Sequence, residues 1–155
     1  MEVALGVDVK DYASLSLSVP AKPETLPVVR DLLGCFARSI GADDGGVDAI
    51  KLAAHEAAAN VVEHAYDEAV GELQVRARAE DGELTIVVSD TTTVVIADSN
   101  GHSPQLPGGT DENGRGIPII ERLAAELEVR RSEGTHAEMT FALPSRAATP
   151  VAAEL

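Results

Sequence analysis

The chain has 155 residues, a length that suits one domain and leaves little room for a second. Its hydrophobic fraction of 45% comes mainly from Ala, Val, Leu and Ile, with 3% aromatics, and this composition favours helices packed on a sheet of β-branched strands. The formal net charge of -14 argues against nucleic acid or an anionic membrane as the main partner, because phosphates would be repelled, and it favours a basic protein surface.

Cys35 is the only cysteine, so an intrachain disulfide is excluded and no thiolate metal site is indicated. We expect this cysteine to be a small buried hydrophobic residue on a helix. The N-terminus lacks the basic region and apolar run of a secretory signal, and no apolar stretch approaches the ~18 residues of a membrane-spanning helix. These features predict a protein of the reducing cytoplasm.

The chain begins with a segment of weak pattern, then a strand and a helix. Residues 1–13 are predicted to be a lead-in segment. The strict alternation of SLSLSV predicts a strand over 14–19. Apolar residues then recur at helical spacing over 24–40, and Gly41 provides a stop signal for this first helix.

A long central helix follows the turn GADDGG. Residues 47–69 contain no glycine or proline and are rich in alanine, which predicts the strongest helix of the chain. Asp43 or Asp44 is placed to cap its start.

The second half is predicted to contain two strand pairs, separated by a long loop and a helix. An Asp-Gly turn joins the first pair, and Gly134 lies at the turn of the second. The predicted elements are strands over 72–79 and 83–89, a loop over 90–113, a helix over 116–126, strands over 127–131 and 137–143, and a flexible C-terminal tail over 144–155. This order predicts an α+β fold, a two-layer sandwich with helices on one face of a mixed, mainly antiparallel sheet.

Glu56, Asn60 and His64 are spaced four residues apart in the central helix and form one polar stripe on an alanine-rich surface. An asparagine amide oxygen suits Mg²⁺ that phosphates also hold. A carboxylate one turn earlier is placed to polarise an attacking hydroxyl. The alternative is a solvent-exposed helix face that carries polar residues without a function.

A glycine-rich segment precedes the next helix. Gly114 and Gly116 lie where the loop becomes helical, so the backbone there can approach a ligand and the helix N-terminus can bind an anion. Arg115 between them is placed for a charge-assisted contact with phosphate. The alternative is a loop that merely contains glycines.

Two further residues lie at strand ends. Asp90 ends an apolar strand, where it could accept a hydrogen bond from an exocyclic amine such as that of adenine, or simply terminate the strand. Thr135 follows Gly134 before the last strand, where it could contact a base or a water, although a turn threonine is the ordinary explanation.

The order of these motifs resembles the Bergerat-fold ATPases, the histidine-kinase-like superfamily that also includes gyrase. Within that superfamily, the string E-x-x-x-N-x-x-x-H-A-Y and the segment GRGIPIIERLAAELEV resemble the bacterial anti-sigma factor serine/threonine-protein kinases. The resemblance covers residues 14–143, which would form the ATPase domain.

The resemblance implies a role for each motif residue. Glu56 would be the general base and Asn60 the Mg²⁺ ligand in an ATP site. Asp90 would read adenine, and Thr135 would lie near the base. The residues that would line the phosphates are Gly114, Arg115 and Gly116.

The resemblance also implies partners. Such kinases bind a sigma factor and phosphorylate a serine or threonine of an anti-sigma factor antagonist, and they typically form homodimers. An acidic surface suits capture of a basic sigma-factor segment. A histidine-kinase catalytic domain is disfavoured, because no dimerising helix pair or phosphoacceptor segment precedes residue 14.

One departure from the family pattern supports an alternative function. The family follows the strand-ending aspartate with D-x-G-x-G, whereas Asp90 is followed by Thr91, Thr92, Thr93 and Val94. Both glycines of the pattern are therefore absent, and Thr92 and Val94 stand in their places. A side chain at these two positions would crowd adenine or prevent the backbone turn. The alternative is therefore a non-catalytic protein-binding module of the same fold, with weakened or lost nucleotide binding.

Overall fold

The computed structural model describes residues 1–8, 12–64, 71–90, 116–131 and 135–144. The strands are β1 (Glu2–Asp8), β2 (Tyr12–Pro20), β3 (Glu72–Glu80), β4 (Glu83–Asp90), β5 (Glu126–Arg131) and β6 (Thr135–Ala142). The helices are α1 (Leu26–Ser39), α2 (Asp44–His64) and α3 (Gly116–Leu123), with one turn of 3-10 helix at Pro23–Thr25.

The strands form one six-stranded sheet in the order β1-β2-β3-β4-β6-β5. Every neighbouring pair is antiparallel, so the described strands include no parallel pair. The helices cover one face of this sheet, with α2 contacting β3, β4 and β6 and packing between α1 and α3. The predicted α+β two-layer arrangement is confirmed.

The core lies between the sheet and the helices. Alternate residues of β2, β3, β4 and β6 are buried, as expected for strands with one covered face. The most buried large side chains of these strands are Leu17, Leu73, Leu84, Ile86 and Met139. On the helical side, alanines of α2 allow close packing against the sheet and against α1, and the buried ones are Ala53, Ala54, Ala57 and Ala58.

Local signals fix the ends of α1 and α2. The first helix is followed by Gly41 at φ 98°, the left-handed conformation that glycine adopts without strain, so the predicted stop at Gly41 is confirmed. The second helix begins at Asp44, three residues before the predicted start, because the Asp43 carboxylate accepts a 2.7 Å hydrogen bond from the Gly46 N–H. This cap stabilises a first turn that contains two glycines.

The N-terminal segment differs from the prediction. Residues 2–8 form β1, which pairs with β2 over its whole length, from Glu2 opposite Ser18 to Asp8 opposite Tyr12. The sequence pattern predicts only a lead-in segment here, without a strand. An edge strand needs only a neighbour with free backbone groups, and β2 supplies them. Val3 is 44% exposed although it pairs with the buried Leu17, so the helical layer does not cover this edge.

Two other details differ from the predictions. The last described helix ends at Leu123 and β5 begins at Glu126, so the helix is shorter than predicted. Cys35 is exposed, which corrects the expectation of a buried cysteine, because the buried stripe of α1 runs through its neighbours Gly34 and Phe36.

Several predicted segments lie wholly or mostly outside the described residues, namely the end of the central helix, the loop after Asp90 and the C-terminal tail. The division into a lead-in segment, an ATPase domain and a tail stays a prediction. No helix in the described ranges is long and apolar enough to cross a membrane.

Candidate functional site

Helix α2 presents the predicted polar stripe at the boundary of the core. Asn60 is 9% exposed, and within the described residues it is the only buried polar side chain. Glu56, one helical turn earlier, is half-buried. Burial of an amide costs free energy unless it has a polar partner. A buried asparagine between the alanines and valines of this helix sequence therefore marks this turn of α2 as a candidate site.

The N-terminus of α3 lies directly against this pair. Gly116 is buried at the first position of α3, and a methyl group on its α-carbon would be 3.0 Å from Oε2 of Glu56 and 3.4 Å from Nδ2 of Asn60. The two helices approach closely here because residue 116 has no side chain. The positive end of the α3 dipole therefore lies near the Glu56 carboxylate and the Asn60 amide.

Two strand ends form a second part of the candidate site. Asp90 is the last residue of β4 and Thr135 the first of β6. The last pairing between these strands joins Ser89 to His136. Asp90 and Thr135 therefore lie at the same end of these two strands, one residue beyond that pair.

Both parts lie at the same end of the domain. The start of α2 shares a cavity with the C-terminal end of β6, so α2 runs from that end of β6 towards Thr135. Asn60 lies about 21 Å further along the helix axis than Gly46, and β6 spans a similar length of about 24 Å. The polar stripe is therefore near the end of the sheet that carries Asp90 and Thr135.

Other parts of the predicted site lie outside the described residues. These are Gly114 and Arg115, which directly precede Gly116 in the sequence, and the side chains of His64 and Thr135. The predicted cavity in front of Glu56 and Asn60 would be closed by the loop after Asp90, and this prediction is also untested.

The polar groups fit a magnesium ion that phosphates help to hold. No group of three His, Cys, Asp or Glu side chains with metal-binding geometry occurs among the described residues. Mg²⁺ usually takes one or two protein oxygens and completes its shell with phosphates and water. The amide oxygen of Asn60 beside the Glu56 carboxylate meets that requirement.

The sequence predicts the polar stripe but not its contact with Gly116. It assigns the glycine to a ligand, whereas the structure shows that the same glycine packs on two side chains of α2. A cavity of about 540 Å³ at the other end of α2 was also not predicted. Residues from α2, α3 and β6 line it, and no short sequence motif joins such distant segments.

Comparison with known proteins gives a consistent result. The family described as histidine kinase-like ATPase domain matches residues 19–141. Serine-protein kinase RsbW of Bacillus velezensis is 31% identical over 137 residues, covering 84% of each chain. Serine-protein kinase RsbW of Bacillus licheniformis is 33% identical over 138 residues, with the same coverage.

A solved structure is also similar. The crystal structure of the RsbU and RsbW domains of a Mycobacterium tuberculosis protein matches with a TM-score of 0.63 and 27% identity. The match covers 84% of this chain and 32% of that one, so this chain corresponds to about a third of the larger protein.

The fold and the family match define the class as histidine kinase-like ATPase domains, a class whose members use a nucleotide. Within that class, the chain belongs to the family of the RsbW serine-protein kinases, the anti-sigma factor kinases that its motifs resemble.

Proposed function

We propose that this chain is an anti-sigma factor that also acts as an ATP-dependent protein serine/threonine kinase on an anti-sigma factor antagonist. The observation that carries the proposal is the close approach of Gly116 to Glu56 and Asn60. It brings a carboxylate, a buried amide and a helix N-terminus together, and these groups suit a magnesium-bound triphosphate. Relatives named serine-protein kinase support the same conclusion.

The phosphate end of ATP would lie between α2 and the start of α3. Bound Mg²⁺ would neutralise charge on the transferred phosphoryl group, and the Asn60 amide oxygen would be its protein ligand. The backbone N–H groups at the start of α3 would donate to phosphate oxygens. The residues proposed to line the phosphates are Gly114, Arg115 and Gly116.

The adenine end of ATP would lie at the end of the sheet where β4 finishes and β6 begins. The Asp90 carboxylate would accept a hydrogen bond from the exocyclic amino group of adenine, and Thr135 on the neighbouring strand would lie near the base. Both positions are at the end of the sheet towards which α2 runs.

Glu56 would act as the general base. Its carboxylate would accept the proton of the substrate serine or threonine hydroxyl while that oxygen bonds to the γ-phosphorus and the bond to ADP breaks. A half-buried position excludes part of the water that would otherwise compete with the protein hydroxyl.

The proposed partners are proteins. The chain would bind a sigma factor and an antagonist protein in the cytoplasm and would form a homodimer. The net charge of -14 suits a basic sigma-factor segment and disfavours direct contact with nucleic acid.

The test is transfer of labelled phosphate from ATP to a co-expressed antagonist protein. Glu56→Gln keeps the shape of the side chain and removes its basicity, so transfer should fall at least ~100-fold while Mg-ATP binding changes little. The matched control is Asp48→Asn at an exposed position of the same helix, about 12 Å from Glu56 along the helix axis, which should transfer phosphate as the unmodified chain does.

Unchanged transfer by Glu56→Gln would remove Glu56 as the base. A chain that binds its protein partners but shows neither transfer nor nucleotide binding would be the non-catalytic module that the missing glycines after Asp90 favour.

A further inference from the structure

One face of the sheet is free of the described helices. In β3, Arg76 lies between two buried residues of the helical side, so its side chain points away from the helices and is exposed. In β6, Glu138 also lies between two buried residues and is itself half-buried. We call the surface of β2 to β6 that faces away from the helices the open face.

One row of the open face crosses the sheet through directly paired residues. Arg76 of β3 pairs with Val87 of β4, and Val87 pairs with Glu138 of β6. Neighbouring strands lie about 4.8 Å apart, so Arg76 and Glu138 flank Val87 at equal distances. The row therefore carries a cation on one side of β4 and a carboxylate on the other.

Arg76 has a charge without a partner among the described residues. Its side chain forms no ion pair and no hydrogen bond there. Arg78, two residues further along the same strand, pairs with Glu80 at 2.9 Å and lies over the ring of Tyr12. The guanidinium of Arg76 is therefore the one on β3 that is available to an anionic group from outside.

Glu138 is the matching anion on the other side of Val87. No cation of the described part of the chain lies within 4.0 Å of its carboxylate. The residue directly opposite on β5 is Glu128, which pairs with Arg130 at 2.6 Å on its own strand. Like charges directly opposite each other in a sheet are destabilising, so a cation supplied from outside would stabilise Glu138.

A two-fold axis along β4 brings these two charges together. Rotation about such an axis packs the open faces of two copies against each other and places β3 of each copy over β6 of the other. Because Arg76 and Glu138 are equally far from Val87 in one row, Arg76 of each copy then lies opposite Glu138 of the other. Packed sheets lie about 10 Å apart, a gap that an arginine and a glutamate bridge.

The open face is large enough for a dissociable interface. The five strands β2 to β6 span about 24 Å across, and β4 is about 24 Å long. Two copies packed in this way would bury on the order of 1,200 Å² in total, the lower end for specific interfaces. The centre carries the uncharged, half-buried side chains of Thr85, Val87 and Ser89, which suits the middle of a contact.

We propose that the open face is a two-fold interface with a second copy of this chain, held by reciprocal ion pairs between Arg76 and Glu138. A second copy supplies both charges at the required spacing by symmetry, which selects it over an unrelated protein. The interface rests on the homodimer of the proposed function and identifies its surface. The candidate nucleotide site lies on the helical side of the sheet, so this packing leaves it open in both copies.

The first test is sedimentation velocity of the full chain and its variants between about 1 and about 100 µM, where a small polar interface dissociates. Arg76→Glu and Glu138→Arg each place like charges opposite each other twice, so each should weaken the dimer at least ~10-fold. The controls Arg38→Glu and Glu24→Arg make the same changes in charge at exposed positions away from the open face and should dimerise as the unmodified chain does.

Charge exchange makes the test specific. A mixture of Arg76→Glu and Glu138→Arg chains restores both ion pairs across one interface, so the two variants should associate with each other although neither associates with itself. A single chain that carries both substitutions should also dimerise again. Thermal melting of each variant confirms that it is folded.

Failure of the mixture to associate would contradict the proposal, because Arg76 and Glu138 would then not face each other. A dimer that resists both single substitutions would place the interface elsewhere and leave the proposed homodimer standing, whereas a chain that stays monomeric at about 100 µM would contradict both. Phosphate transfer by the same variants reports separately on the proposed kinase activity.

Discussion

Gly116 connects the two helices of the candidate site. Its α-carbon faces the Glu56 carboxylate and the Asn60 amide at distances that leave no room for a methyl group without a shift. A flexible carboxylate can move by a few tenths of an ångström, whereas a buried amide next to packed alanines has less freedom. The glycine therefore allows both polar groups to lie close to the start of α3.

Replacement of this glycine should weaken Mg-ATP binding without lowering the stability of the fold. In Gly116→Ala the added methyl group would lie 3.0 Å from Oε2 of Glu56 and displace it, while alanine loses less conformational entropy than glycine on folding, which offsets part of that cost. We expect little change in the urea midpoint and a loss of Mg-ATP affinity of about tenfold, or 1.4 kcal/mol.

The control for this variant is Gly45→Ala in α2, where the methyl group would make an ordinary 3.7 Å contact with Asp43. It should leave Mg-ATP affinity unchanged. If both variants bound the nucleotide equally well, the close approach at Gly116 would have no role in binding.

The sequence alone predicts part of the candidate site. The four-residue spacing of Glu56 and Asn60 predicts that they share one helix face, and the structure places both beside Gly116. Helical periodicity alone cannot say what that face contacts, because the contact with α3 joins residues far apart in sequence. The predicted roles of the site residues stay predictions.

Short sequence signals set the start of α2 and the turn between β3 and β4. Asp43 accepts the hydrogen bond of the Gly46 N–H, and this cap begins α2 before its apolar stripe starts. The Asp-Gly turn of the β3–β4 hairpin has both residues at positive φ, with Asp81 at 52° and Gly82 at 79°, as a tight hairpin turn requires. The sequence predicts both features because each depends on neighbouring residues.

Loss of the α2 cap should destabilise the domain. Asp43→Ala leaves the Gly46 N–H without its side-chain acceptor, which costs roughly 1 kcal/mol and should lower the urea midpoint. The control Asp44→Ala breaks only the exposed 3.0 Å ion pair with Arg38 and should have a smaller effect. A larger effect at Asp44 would mean that the cap lies elsewhere.

The N-terminal strand was not predicted, although Val3, Leu5 and Val7 alternate. Its register depends on β2, since each residue of β1 pairs with one of Tyr12–Ser18. An edge strand with one neighbour is defined by that neighbour as much as by its own pattern.

The whole molecule is dominated by negative charge. Ion pairs within the described residues are formed by largely exposed groups, such as Arg38 with Asp44 and Arg78 with Glu80. Such pairs contribute little to stability, whereas a net charge of -14 produces repulsion across the whole surface.

Salt should therefore stabilise this protein. Raising the ionic strength from about 0.01 M to about 0.1 M shortens the Debye length from roughly 30 Å to 10 Å, which screens repulsion between distant carboxylates. The urea midpoint, measured by circular dichroism, should rise with sodium chloride. A midpoint that falls would mean that attractive pairs dominate the electrostatics.

The order of elements along the chain was sufficient to predict the two-layer fold, because alternation and helical spacing are local patterns. The boundaries of the site were not predicted in the same way, since they depend on how α2, α3 and the ends of β4 and β6 meet. The segment between Asp90 and Gly116 carries no periodic pattern that would fix its conformation.

The proposed nucleotide site lies where Glu56 and Asn60 meet the start of α3. Calorimetric titration with Mg-ATP tests it most directly, on the unmodified chain, on Asn60→Ala and on the control Leu52→Ala at an exposed position of α2. We expect binding by the unmodified chain and the control, and at least ~10-fold weaker binding by Asn60→Ala. Equal affinity of all three, or no binding by the unmodified chain at millimolar nucleotide, would contradict it.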